Sequence, residues 1–375
     1  MRLPDFIYKL FIHPIKRRIA KAWVYILQRY FGLVVVGITG SAGKTTTKEM
    51  LASILSLKGI TQYSYANIDR VYNIPTTILK CSPKTKYLVL ELGIEYPGEM
   101  DFYGWIVKLD ISVITNISAT HTEYFGDEYG VYIEKTKLLN YTKSFCVLNK
   151  DNKYLKNTKR DGLKVFWFGK NSTNRVIKVN VKKEGCTNCV LHVDGKKYEC
   201  QLPFLGRHFC DNALAAFMVA HKLEIKPDII KQGLNQVAKP EHRMNVIKHK
   251  SGAIIVDDSY NNNPQAAQKT IETFANLYRK ENKVVVFGDM LELGGIEKES
   301  HIQIGKLLAQ KNISKLICVG KASEDTFNSF KNKKRSLWVQ DWKKAKTIYK
   351  KELKAGNAIL IKGSRSIGLE NLLDA

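Results

Sequence analysis

The feature that most constrains this chain is the string LVVVGITGSAGKTTT at residues 33–47. Its uncharged, β-branched start reads as a buried parallel strand, and the residues after it, KEMLASILSL at 48–57, read as a helix. Between them a glycine-rich loop ends in Gly-Lys-Thr, so strand, loop and helix stand in the order of a phosphate-binding loop. The pattern G-x-x-x-x-G-K-[ST] is not met in full, because Ile38 holds the place of the first glycine and Gly37 lies one residue earlier. Gly40, Ser41, Ala42 and Gly43 are expected to turn backbone N–H groups toward phosphates. Lys44 should then reach the β and γ oxygens, and the hydroxyls of Thr45 and Thr46 open the helix, with Thr45 suited to Mg²⁺. A chain that begins this way is expected to build an α/β fold and to bind a nucleoside triphosphate.

The length of 375 residues suggests two or three domains at roughly 150 residues each. Sixty Lys and Arg against 35 Asp and Glu leave a net charge of +25, an excess that suits nucleic acid, a membrane surface or a polyanionic substrate without choosing among them. A hydrophobic content of 44% with 25% charged residues excludes global disorder. No run approaches the roughly 18 apolar residues that span a bilayer, and no signal peptide opens the chain. The seven cysteines, at 81, 146, 186, 189, 200, 210 and 318, are odd in number and scattered, which fits reduced thiols and a cytoplasmic location. No zinc finger, aromatic RNA-binding motif or recognition helix is present, so a nucleic-acid partner is not expected.

Residues 5–31 hold no glycine, and after Pro14 the apolar Ile15, Ile19, Trp23, Ile26 and Tyr30 recur at helical spacing. Residues 1–31 carry seven basic side chains against one acid, Asp5, which gives a basic amphipathic helix. Two readings stay open: peripheral contact with the inner face of a membrane through residues 1–31, or an ordinary helix packed on its own domain. Further on, YLVLE at 87–91 places Glu91 at the carboxyl end of an apolar strand, where open α/β sheets bind their ligands. Apolar strands at 283–287, 315–319 and 358–361 alternate with helical stretches in the last third, as in a doubly wound sheet.

GITGSAGKTTT at 37–47 resembles the ATP-binding loop of the Mur ligases, ATP-dependent amide-bond ligases of peptidoglycan synthesis. Seven further segments agree in order: ELGIEYPGEMDF (91–102), TNISATHTEYFG (115–126), EKTKLL (134–139), LGRHFCDNALAA (205–216), DDSYNNNPQAA (257–267), GDMLELG (288–294) and KGSRSIGLE (362–370). They are most similar to the member that adds D-alanyl-D-alanine to a UDP-linked muramoyl tripeptide. The resemblance implies a central P-loop ATPase domain with a mostly parallel sheet, at 33–243, and a C-terminal Rossmann-like α/β domain, at 244–375. The basic helix at 1–32 precedes them.

The implied chemistry is that of an ATP-dependent acid–amino-acid ligase. Forming an amide from a carboxylate at neutral pH requires a better leaving group than oxide, and ATP supplies one by phosphorylating the acid to an acyl phosphate, which an amine attacks. The demand is mostly for positioning and charge neutralisation. By resemblance, Thr45, Glu91, His121 and Lys135 hold two Mg²⁺ ions, with Lys135 carbamylated by CO₂; Lys137, two residues on, is its rival for that place. Arg243 of KPEHR (239–243) contacts the ATP phosphates when the C-terminal domain closes, Asp258 serves the ribose or the hinge, and Asn261 serves the adenine. Lys362, Ser364 and Arg365 follow the last strand, where they are expected to hold the carboxylate of the incoming amine. The partners implied are an anionic acyl acceptor and an amino acid or dipeptide.

The sequence departs from the family in two places. Only about 32 residues precede the first strand, too few for the family's separate UDP-binding domain, so a handle for a UDP substrate is expected to be missing. The stretch NIDRVYNIP at 67–75 has Asp69, Arg70 and Asn73 where the family has Asn, Asn and Gly, so acyl-acceptor recognition is expected to differ. These departures prompt an alternative, a ligase acting on a UDP-free or lipid-linked acceptor at a membrane. Cys186 and Cys189 form one C-x-x-C where a zinc ribbon needs two, and the runs around them read as a β-meander.

Overall fold

The computed structural model describes residues 13–64, 70–120, 122–239 and 241–374. His121, the first twelve residues and Asn67 to Asp69 of the acceptor-side stretch therefore lie outside the described residues. The described residues begin with α1 (His13–Phe31) and β1 (Val34–Thr39), followed by α2 (Lys44–Ser56), β2 (Thr61–Tyr63), α3 (Arg70–Leu79), β3 (Tyr87–Glu91), α4 (Glu99–Ile106) and β4 (Leu109–Ile114). After α5 (Glu128–Thr136) come β5 (Thr142–Asn149) and β6 (Lys164–Phe168). These six strands form one parallel sheet in the order β2-β3-β1-β4-β5-β6. The order reverses at β1, so the loop after β1 opens into the crevice at the sheet's switch point.

Both faces of this sheet are covered. Val36, Ile38 and Val89 point into one core with α2 and α6 (His208–Lys222), whereas Val35, Leu88 and Leu90 point into a second with α1, α3 and α4. Alternation along a strand sends neighbouring side chains to opposite faces, so a strand buried on both sides reads as a continuous apolar run. Helix α1 packs on α3 and α4 through Ala20, Val24 and Leu27. Burial of Val24 and Leu27 contributes about 2 kcal/mol each. Of the apolar residues at helical spacing, Trp23 packs against the same core, whereas Ile15, Ile19, Ile26 and Tyr30 stay exposed.

A three-stranded antiparallel sheet follows, β7 (Arg175–Lys182), β8 (Cys186–Val193) and β9 (Lys196–Leu202). Cys186 and Cys189 sit on β8 with Cys189 opposite Cys200, so the C-x-x-C belongs to the meander. All seven cysteines are free, and among the described residues no group of three or more His, Cys, Asp or Glu is arranged to hold a metal ion. Helix α7 (Pro227–Asn235) then leads to the C-terminal sheet of β10 (Asn245–Lys248), β11 (Ile254–Asp258), β12 (Asn282–Gly288), β13 (Lys315–Val319), β14 (Ser336–Val339) and β15 (Asn357–Lys362). Its order is β10-β11-β15-β12-β13-β14, parallel except for β10 at the edge. Helices α8 (Pro264–Leu277), α9 (Glu297–Gln310) and α10 (Trp342–Glu352) cover it on two sides. Among the described residues no helix is long and apolar enough to cross a membrane.

The helix behind the phosphate loop is braced by a close crossing. A Cβ on Gly233 of α7 would lie 2.5 Å from the Ile54 Cα of α2, and Ser53 Oγ donates to Gly233 O at 2.7 Å. Gly233→Ala must therefore push the two backbones apart. It is expected to destabilise the protein by about 1–3 kcal/mol in urea unfolding; an unchanged midpoint would show that the crossing is not tight.

Candidate active site

The loop after β1 is held from beneath by the end of β4. Ser41 N donates to Asn116 O at 2.8 Å, Ser41 Oγ to Ser118 O at 3.0 Å, and Thr115 Oγ1 to Ala42 O at 2.5 Å. Gly43 caps α2 at φ 83°, where a side chain would be strained and would strike the Asn212 amide of α6. Lys44 folds back over its own loop, donating to Gly40 O at 2.8 Å. The missing first glycine costs the loop nothing here, because Ile38 is a buried strand residue.

Thr45 is the junction of the site. Its Oγ1 donates to Glu91 Oε1 at 2.9 Å and accepts from Arg243 Nη2 at 3.4 Å. Glu91 is itself steadied, as its N–H donates to Ser64 Oγ at 3.0 Å and its Oε2 lies 3.9 Å from the buried ammonium of Lys48. Lys48 also donates to Ser64 O at 2.5 Å. Thr45 and Glu91 thus offer adjacent hard oxygen donors at the mouth of a phosphate loop. That set suits Mg²⁺, which takes one or two protein oxygens and completes its shell with phosphates and water.

Arg243 arrives from the hinge between the domains on an unusual backbone. His242 and Met244, on either side, both have positive φ, 58° and 54°, a conformation costing about 1–3 kcal/mol per residue. The hinge is held by a hydrogen bond between His242 Nδ1 and Asp257 Oδ2 at 2.7 Å and by Tyr260 N donating to His242 O at 3.2 Å. The Arg243 guanidinium lies 4.5 Å from the centre of the Tyr260 ring, and that of Arg365 lies 5.9 Å from the same centre. Elsewhere the domains meet where Asn116 Nδ2 donates to Gln265 Oε1 at 2.5 Å and Thr122 Oγ1 to Leu293 O at 3.0 Å.

Between the domains lies a cleft of about 1040 Å³ lined by 41–46, Asn116, Arg243, Asp258, Asn261 and Lys362, with Asn149, Lys170, His208 and Lys269 along its walls. Of the sequence candidates, Ser41 to Thr46, Arg243, Asp258, Asn261 and Lys362 come together there, with Glu91 behind Thr45. Lys135 is buried on α5 and is not among the lining residues. Its rival Lys137 is bound at 2.8 Å to both Asp101 and Glu134, and those bonds hold its ammonium well above the usual lysine range. A carbamate forms only on a neutral amine, so Lys137 is the poorer candidate. The expected amine-side residues Lys362, Ser364 and Arg365 stand at and just after the end of β15, in three different surroundings. Lys362 is buried and paired with Asp258 at 3.1 Å and Asn261 O at 2.5 Å, Ser364 accepts from Leu291 N at 3.3 Å, and Arg365 is exposed beside Glu370 at 3.6 Å.

Residues that sequence reasoning did not single out include Lys48, Tyr260 and Gln265. Tyr260 and Gln265 stand inside the quoted DDSYNNNPQAA string, but their partners come from other elements and leave no local signal.

The family profile described as Mur ligase middle domain matches residues 38–220, and that described as Mur ligase, glutamate ligase domain, matches 242–365. The UDP-N-acetylmuramoyl-tripeptide–D-alanyl-D-alanine ligase of Buchnera aphidicola is 33% identical over 347 residues, 91% of this chain and 74% of that one. The chain belongs to the Mur ligase family. Among solved structures, MurF from Acinetobacter baumannii superposes with a TM-score of 0.87 at 26% identity, covering 96% of this chain and 80% of that one. The MurF ligase of Thermotoga maritima in complex with ADP gives 0.85 at 26% identity over 96% of this chain and 82% of that one. This Mur ligase carries the middle-domain parallel sheet and the C-terminal mixed sheet of those neighbours.

His208 supplies a pH-dependent test of the cleft wall. Burial pushes its imidazole down to about 4 from 6.5, against a weaker upward pull from Asp258, and its Nδ1 has no partner among the described residues. The folded form keeps His208 neutral where the unfolded chain takes up a proton, so the stability present above about pH 6.5 is lost as pH falls toward 4. His208→Gln is expected to flatten the fall in melting temperature between pH 7 and pH 5; an unchanged slope would place the imidazole in water.

Proposed function

We propose that this Mur ligase is an ATP-dependent carbon–nitrogen ligase that joins D-alanyl-D-alanine to the carboxylate of a UDP-N-acetylmuramoyl tripeptide, a step of peptidoglycan synthesis. The observation that carries the reading is the chain of contacts from Glu91 through Thr45 to Arg243. It joins a strand-end carboxylate, the phosphate loop and the hinge arginine at the mouth of the interdomain cleft. The name of the B. aphidicola relative at 33% identity, and that of a UDP-N-acetylmuramoylalanyl-D-glutamyl-2,6-diaminopimelate–D-alanyl-D-alanyl ligase structure from A. baumannii at 26%, support the substrates. The ADP complex of the T. maritima relative supports ATP use.

In this reading the 41–46 backbone and Lys44 cradle the triphosphate, Asn261 and Asp258 face the nucleoside, and Arg243 neutralises the charge of the transferring phosphoryl group. Thr45, Glu91, His121 and a carbamylated Lys135 are the proposed holders of two Mg²⁺ ions, which when bound neutralise phosphate oxygens. The acceptor carboxylate oxygen attacks the γ-phosphorus and ADP departs, leaving an acyl phosphate. The amine then attacks the carbonyl carbon, loses a proton, and phosphate leaves. The chain's contribution is alignment and fixed positive charge around groups that would otherwise repel. The proposed domain limits are 33–243 for the ATPase domain and 244–375 for the C-terminal domain. The proposed location is cytoplasmic, with peripheral contact at the inner face of the membrane.

A second reading of the acceptor, one carried on lipid, is favoured by the exposed apolar stripe of α1 and by the packing of α1 on α3, which holds Asn73 and Pro75 of the acceptor-side stretch.

Incubation with ATP, Mg²⁺, UDP-N-acetylmuramoyl tripeptide and D-alanyl-D-alanine is expected to yield the condensed product by mass and one phosphate per product, with no phosphate when either partner is omitted. Lys44→Ala should lower turnover by roughly 10²–10³-fold. ATP hydrolysis indifferent to both partners would overturn the assignment.

A further inference from the structure

Helix α1 has two apolar faces, and among the described residues only one has a partner. Ala20, Val24 and Leu27 face the domain, and near them Lys16 Nζ donates to Thr76 Oγ1 at 2.8 Å and Trp23 Nε1 to Cys81 O at 2.9 Å. Of the residues that gave the helix its amphipathic signature, only Trp23 takes part in this anchoring. Ile15, Ile19, Ile26 and Tyr30, at intervals of four, seven and four, form one stripe turned to solvent. Ile15 is 58% exposed, Ile19 54% and Tyr30 73%, values that rule out a core role for the stripe.

The chemistry around the stripe selects its occupant. The nineteen residues of α1 include no Asp or Glu. Arg18 and Arg29, both exposed, project along one edge of the stripe. Beyond them Lys21 Nζ sits 4.3 Å from the centre of the Trp105 ring of α4, and Trp105 and Tyr25 are themselves 43% and 64% exposed. Branched aliphatics, interfacial aromatics and cations on a helix lying flat on its domain make a face that inserts shallowly among acyl chains while its basic edge meets phosphate headgroups. A protein partner for so basic a rim would have to bring its own acidic surface, whereas an anionic bilayer supplies both chemistries at once. We propose that the exposed face of α1 is a docking surface for an anionic lipid bilayer. It holds the ligase at the membrane with its first sheet's α1 side toward the lipid.

This docking surface rests on the peripheral location proposed above and stands apart from the ligase assignment, because binding is read without ATP or acceptor. The full chain is sedimented with phosphatidylcholine vesicles that contain or lack phosphatidylglycerol. The bound fraction is expected to be about tenfold higher on the anionic vesicles. It should fall to the neutral-vesicle level in Ile19→Asp/Ile26→Asp and in Arg18→Glu/Arg29→Glu. Both variants alter exposed side chains and should keep the parent's melting temperature and its solution ATPase rate. Equal binding to neutral and anionic vesicles would overturn the proposal, as would binding that survives both variants. So would a stripe variant that converts a dimer to a monomer with no vesicle binding in the parent, since the face would then belong to a second copy of the chain.

Discussion

A single hydroxyl joins the parts of this molecule that have to act together. Thr45 Oγ1 lies between Glu91 at the end of β3 and Arg243 at the hinge, and it opens the helix that follows the phosphate loop. The parallel sheet exists, in this sense, to bring the carboxyl ends of β1, β3 and β4 to one place, since each contributes what its neighbour lacks. β1 leads into the glycine-rich loop, β3 ends in the carboxylate, and β4 leads into the Thr115–Asn116 turn that supports the loop from below.

The second domain completes the site by reaching over it. Its reach depends on a hinge whose residues on both sides of Arg243 adopt positive φ, and the His242–Asp257 pair holds that conformation. The Tyr260 ring lies within reach of both the Arg243 and Arg365 guanidiniums, so the strain at the hinge buys a fixed cation above the phosphate loop. Lys362, paired with Asp258 and the Asn261 carbonyl, instead ties the last strand to the loop that faces the nucleoside side of the cleft.

Much of the fold was legible in the sequence because buried parallel strands write themselves as apolar runs. The run at 33–38 announced β1 despite the absent glycine, and YLVLE put Glu91 at a strand end, where it stands. The short edge strands β2, β10 and β14 left too little pattern to be read. Arg243 was found through resemblance, because nothing local in KPEHR betrays a backbone with two positive φ angles. In α1 the periodic pattern left open which side meets the core: Ala20, Val24, Leu27 and Trp23 pack beside α3 and α4, while Ile15, Ile19 and Ile26 remain exposed. Helical spacing tells where apolar residues lie around a helix, and only packing decides which of two apolar faces meets the core.

The central claim is that the cleft transfers a phosphoryl group to a carboxylate before the amine arrives. Turnover with an acceptor whose carboxylate oxygens are ¹⁸O-labelled tests it most directly. The account predicts one labelled oxygen in each phosphate released, carried over when the acyl phosphate is broken by the amine. Phosphate that contains no label while the amide product accumulates would contradict it.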